Sequence, residues 1–266
     1  MQNSWIIFRK SVEIVVGNFQ QAIRLSGGLF VLAVFASTAL NVLIAGTMIV
    51  NPADLQIDTT LGNTEQIEMA QKAFQHSSAL LLGNLLFFIA MSWIAIAWHR
   101  FVLLEETSSQ LFPNLNAGRL ISYLGKTLAL VFMIAIGLAI PLAVISTLLS
   151  AAGLATLMPL VSLGLFVCIY YFFFRAGLVL PAIALDQRIT FSESFQTTKE
   201  LSQSIWGIAL IVVGMSSIAA ILLGQIMPNN ILGVLANAIV QWLMVMISAS
   251  LLTTLYGHAV EHRPIT

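Results

Sequence analysis

Six apolar runs of membrane-spanning length divide the chain, at about 25–50, 78–98, 120–149, 157–175, 206–227 and 231–256. Each is close to or longer than the roughly 20 apolar residues that cross a bilayer as an α-helix. Turn signals fill the breaks: Asn51-Pro52, the stretch with Pro113, Asn114 and Gly118, the small residues Ala151 to Gly153, and Pro228-Asn229-Asn230. The pattern predicts an all-α polytopic membrane protein, with six transmembrane helices paired as three hairpins in one integral membrane domain over 1–266.

The segments outside the spans have helical signatures of their own. In residues 1–20, Trp5, Phe8, Val12, Val15 and Phe19 recur at spacings of three and four, with Arg9, Lys10 and Glu13 off that stripe. This predicts an amphipathic helix lying on the membrane surface. Charges inside this segment, and the lack of an apolar core before a small-residue cleavage site, do not fit a secretory signal. Residues 51–77 form an acidic loop, with Asp54, Asp58, Glu65 and Glu68 against Lys72, and a helix start near Asn63. Thr190 followed by Glu193 is a capping-box signature that opens an amphipathic segment from Phe191 to Ile205. In the third span Pro141 predicts a kink, and Ala135, Ala139, Ala143 and Thr147 make a small-residue stripe suited to close helix approach.

Composition fixes the class. The chain is 59% hydrophobic and 8% charged, with mean hydropathy +0.95, against about a quarter charged in soluble domains. A formal net charge of zero and the absence of a basic tract exclude a nucleic-acid footprint. The single cysteine, Cys168, lies in an apolar run and reads as a packing thiol.

Charge also sets an orientation. With both termini cytoplasmic, the inner segments hold Arg9, Lys10, Arg24, Arg100, Arg119, Lys126, Arg175, Arg188, Lys199 and Arg263, and the outer segments hold only Lys72. The positive-inside rule then places the acidic loop outside. Three copies of one unit are discernible: an aromatic and basic lead-in, an outgoing span, a turn and a returning span. The lead-ins centre on Trp5, Tyr123 and Phe195, and the returning spans end at His99-Arg100, Phe174-Arg175 and, more weakly, Tyr256-Gly257-His258.

At AIAWHRFVLLEE (Ala95 to Glu106), FRAGLVLPAIALDQRITFSESFQTTKELSQSIWG (Phe174 to Gly207) and LTTLYGH (Leu252 to His258), the chain resembles a group of bacterial inner-membrane proteins. These are the YciC-type proteins and the membrane domain attached to some glycerophosphodiester phosphodiesterases. The resemblance implies a six-helix bacterial inner-membrane fold without an assigned role. The soluble phosphodiesterase domain has no counterpart here, so it implies no catalytic residue.

Candidate chemistry is sparse. No metalloprotease, nucleophile-elbow or phosphate-loop motif is present, and no cofactor is implied. His258 and His262 are four apart, the spacing of a helical metal pair, but they precede Pro264 near the chain end and read as a solvated helix terminus. Asn41, Asn84, Asn237 and Gln241 lie inside spans and are expected to point into the bundle, because an uncompensated amide in hydrocarbon costs a few kcal/mol. There they either bond between helices or line a polar cavity. Arg100 and Arg175, with Arg119 and Lys126 near the same level, are either topological anchors or a site for lipid phosphate. Arg175 in particular is expected to snorkel to water or to meet an anion at headgroup level. The reading is a non-enzymatic bacterial inner-membrane protein that packs beside a larger membrane complex or organises lipid, with anionic lipids and membrane proteins as partners. The alternative is a transporter of small solutes or lipids.

Overall fold

The computed structural model describes residues 2–48, 55–56, 62–107, 112–114, 116–226 and 231–264. The turns expected at Asn51-Pro52 and Pro228 to Asn230, and the acids Asp54 and Asp58, lie outside them. Every regular element among the described residues is helical, and six helices are long and apolar enough to cross a membrane. The protein is an all-α, multi-pass membrane protein.

The helices are α1 (Gln2–Gly17), α2 (Phe19–Ala22), α3 (Gly28–Leu40), α4 (Asn63–Leu104), α5 (Ala117–Ala151), α6 (Met158–Ala176), α7 (Val179–Ala184), α8 (Phe191–Thr197), α9 (Ser202–Ile226) and α10 (Ile231–Ala259). Wider π-type turns flank α3 at Ile23–Gly27 and Asn41–Ala45. The expected second span at 78–98 is only the middle of α4, which begins at Asn63 and continues through His99 and Arg100 to Leu104. Likewise α5 passes through Pro141 as one helix, so the basic lead-in before the third span is continuous with it.

Two compact units divide the chain. One comprises Ile23–Ile94 and Ser108–Pro113, the other Met1–Ala22, Ala95–Thr107 and Asn114–Thr266. In the first, α3 meets α4 where Ser37 Oγ donates to the Gly83 carbonyl (3.1 Å) and where Phe30 packs edge-on to Phe87. A side chain at position 83 would begin in ordinary contact with Ser37, 3.4 Å from its Cβ.

In the second unit, α6 packs on α5, α8 and α9, α1 packs on α9 and α10, and α7 lies against α5 and α10. The six-residue α7 is the centre of the core. Leu178, Val179, Leu180, Ala182 and Ala184 are all buried, so the apolar run after Arg175 is neither a continuing span nor a surface segment. Pro181 is accommodated in the first turn of α7, where its missing N–H has no helical acceptor to serve. Gly177 makes the bend from α6 into α7, and a Cβ there would press into the Phe173 carbonyl and approach Leu252 Cδ2 to 3.1 Å.

The N-terminal helix corrects the sequence expectation. The face α1 buries is Ser4, Ile7, Phe8, Ser11 and Val15, whereas Trp5 and Phe19 of the predicted stripe are exposed. Beside the large residues Ile7, Phe8 and Val15, α1 packs two serines against α9 and α10. Small side chains let those backbones approach closely.

Candidate functional site

The four cations singled out from sequence all belong to the second unit, near the helix ends that carry its core. The structure places each against protein acceptors or rings. Arg175 is buried, and its guanidinium is used three times: Nε donates to Thr198 Oγ1 (2.8 Å), Nη1 to the Tyr171 hydroxyl (2.8 Å), and Nη2 to the Phe195 carbonyl (2.6 Å). The same group stacks 4.0 Å from the centroid of the Phe195 ring. Three acceptors and a π-face here replace the hydration that a buried arginine loses. The expectation that Arg175 snorkels or grips a lipid phosphate is therefore corrected: it clamps α8 to α6. Ser194 completes the clamp, donating to the Arg175 carbonyl (2.8 Å) and accepting from the Leu178 N–H (3.2 Å).

Two local signals make α8 able to receive this clamp. Thr190 and Glu193 form the predicted capping box, with Glu193 N–H to Thr190 Oγ1 and Thr190 N–H to Glu193 Oε2 (2.7 Å). These bonds hold the Glu193 carboxyl below its ordinary range. Phe191 and Phe195 lie one turn apart on α8; Lys126 sits over the first ring at 5.2 Å and Arg175 over the second.

Arg100 and Arg119 converge elsewhere, on the turn after α7. Arg119 grips Asp186 with both Nε (3.0 Å) and Nη2 (2.7 Å). Arg100 donates to the Ala184 carbonyl (2.7 Å), reaches Asp186 (3.4 Å), and pairs in parallel with both carboxylate oxygens of Glu106. Asp186 adopts φ 59, the left-handed conformation that commonly ends a helix. Arg119, and after it Arg100, hold its carboxyl below the ordinary 3.8. Two arginines against two carboxylates form a neutral network, and its donors point at the C-terminal end of α7. Its chemistry is that of a helix-terminus lock.

Sequence reasoning missed His99, which it took for a marker of helix exit. His99 is fully buried, with Nδ1 2.7 Å from Thr253 Oγ1 and Nε2 3.3 Å from the Tyr123 hydroxyl. Thr253 Oγ1 spends its own hydrogen on the Ala249 carbonyl (2.7 Å), so it accepts from Nδ1–H and leaves Nε2 to accept from Tyr123. Beside it, Trp98 donates to Ser250 Oγ (2.8 Å). The signal available in sequence was a Trp-His pair inside an apolar helix, with hydroxyls at matching depth in two other spans.

These contacts follow one rule. The end of each returning helix bonds to a lead-in: α4 through His99 to Tyr123, α6 through Arg175 to α8, and α10 through Thr254, which accepts from Ser11 of α1 (3.0 Å).

The amides are divided between the two units. Asn84, Asn237 and Gln241 are exposed, contrary to the expectation that they face inward, and only Asn41 is partly buried. Its Oδ1 is enclosed without a hydrogen-bond partner. Asn41 and Asn84 fall in one unit, Asn237 and Gln241 in the other. The small stripe of Ala135, Ala139, Ala143 and Thr147 is exposed too. His258 and His262 do not share a helical face, because α10 ends at Ala259 and His262 takes φ 55. No group of metal-ligating side chains occurs among the described residues. No family model matches the chain, and the comparisons found no similar curated protein and no similar solved structure.

Proposed function

We propose that the chain is a non-enzymatic scaffold or accessory subunit of the bacterial inner membrane, with both termini cytoplasmic, packing beside a larger membrane assembly. One observation carries this reading: Asn84, Asn237 and Gln241 project outward from otherwise apolar spans. An amide facing hydrocarbon lacks a partner that a neighbouring membrane protein can supply. The outward stripe Ala135, Ala139, Ala143 and Thr147 offers a second place for a helix to approach. The cations meanwhile are consumed in holding the chain's own helices together. The resemblance at Ala95 to Glu106 and Phe174 to Gly207 supports the bacterial inner-membrane assignment.

The test is site-specific photo-crosslinking in native membranes. A photoreactive side chain replacing Gln241 or Asn237 is expected to give a discrete adduct with another membrane protein, identified by mass spectrometry. Adducts with lipid alone at both positions would reject the scaffold reading.

A further inference from the structure

We propose that the cleft between α1, the end of α4 and the end of α10 binds the phosphate of an anionic amphiphile. The cleft has a volume of about 170 Å³ and lies wholly within one unit. Its apolar walls are Ile14, Val102, Leu103 and Pro264, and Lys10, His258 and Arg263 border it from three different segments. This space admits a phosphate and its first carbons, since a water molecule's share of the liquid is about 30 Å³.

The cationic rim is built rather than accidental. After α10 the chain folds back, with the Arg263 N–H on the Gly257 carbonyl (2.8 Å) and His258 Nδ1 on the Arg263 carbonyl (3.0 Å). Arg263 Nη2 then reaches the Leu103 carbonyl at the end of α4 (2.9 Å), while its Nε pairs with Glu261 (2.6 Å). The guanidinium is thereby fixed at the rim. Thr254, which also lines the cleft, is hydrogen-bonded to Ser11 of α1. Apolar walls below cationic donors, at the ends of two spans, match a headgroup phosphate better than a free soluble anion. Arg263 contributes its charge at the rim rather than a free fork, because Nε and Nη2 already serve Glu261 and the Leu103 carbonyl. This inference does not rest on the scaffold reading.

The experiment titrates delipidated protein in mild detergent with phosphatidylglycerol, phosphatidylcholine or inorganic phosphate, and reads bound ligand by native mass spectrometry. Phosphatidylglycerol is expected to bind, with Lys10→Gln and Arg263→Gln each weakening it about fivefold. Arg9→Gln should leave it unchanged, since Arg9 does not line the cleft. A response to the lipid alone assigns the cleft to headgroups, whereas an equal response to inorganic phosphate assigns it to soluble phosphate compounds. Equal phosphatidylglycerol affinity in wild type and both cleft variants would overturn the proposal. Should either variant fail to fold, the wild type decides. A diazirine-bearing phosphatidylglycerol is expected to label Ile14, Val102 or Pro264, and labelling confined to other peptides rejects the site.

Discussion

Arg175 marks how far a residue can be read without its partners. Its place at the end of an apolar helix is plain in sequence, and from there snorkelling is the natural inference. What it touches is not plain, because Thr198 and the Phe195 carbonyl arrive about twenty residues later, after a buried turn. His99 fails in the same way: Tyr123 lies 24 residues on and Thr253 lies 154 on. The two roles proposed for Arg175 predict different losses. A lipid ligand would lose bound lipid on substitution, but a clamp loses stability. Lysine keeps the charge yet cannot serve Thr198, Tyr171 and the Phe195 carbonyl at once, and hydrogen bonds to charged groups contribute about 1.5–3 kcal/mol each. Arg175→Lys is therefore expected to lower stability in detergent by about 2 kcal/mol, and Arg175→Gln by more, with retained anionic lipid unchanged. Thermal unfolding and lipid analysis on the same preparations check this. Loss of lipid without loss of stability would restore the phosphate role.

Among the elements, the contact of α1 with α9 explains why hydropathy misjudged the N-terminal helix. A stripe search selects large apolar residues, and of its choice Phe8 and Val15 are buried while Trp5 and Phe19 are not. Close backbone approach instead selects small residues, and the structure buries Ser4 and Ser11. The partner of Ser4 is Gly207, where an added Cβ would come within 2.7 Å of Ser4 Cβ. Neither atom is the end of a flexible chain, so relief requires a shift of a helix. Gly207→Ala is expected to destabilise by about 1–3 kcal/mol, the usual cost of overpacking. Ser4→Gly should be mild alone and should recover much of that loss in the double variant. A double-mutant cycle on unfolding midpoints measures the coupling, and strict additivity would disprove the contact. The capping box of α8, in contrast, was readable as Thr190 and Glu193 because it is complete within four residues. Nothing local marked α7 as core: its sequence, VLPAIA, suits a lipid-facing segment equally well.

For the whole molecule, the spans were legible and their packing was not, for one physical reason. Lipid favours apolar side chains along most of a crossing helix, on the side that faces a neighbour as on the side that faces the bilayer. Ile136, Ile140, Leu160 and Ile221 are exposed, and they are as apolar as the buried Leu130, Ile208 and Leu251. Hydropathy therefore finds helices but does not say which face turns inward. Orientation depends instead on charges beyond the spans, and α4 puts that to a direct test. At 42 residues it is about 63 Å long at 1.5 Å per residue, twice the roughly 30 Å of hydrocarbon. Its first turns carry Glu65, Glu68 and Lys72 and cannot lie in lipid, so they extend beyond one face of the membrane. The other end reaches Arg100, whose network with Glu106, Asp186 and Arg119 belongs at the opposite, basic face. Gly62 and Thr107 flank this one helix and should be reached from opposite sides. With Cys168, the single cysteine, replaced by serine, a membrane-impermeant maleimide is expected to label Gly62→Cys in intact cells. Thr107→Cys should be labelled only after the membrane is permeabilised. The reverse result would invert the orientation drawn from charge, and labelling of both sites in intact cells would mean that α4 does not cross the membrane.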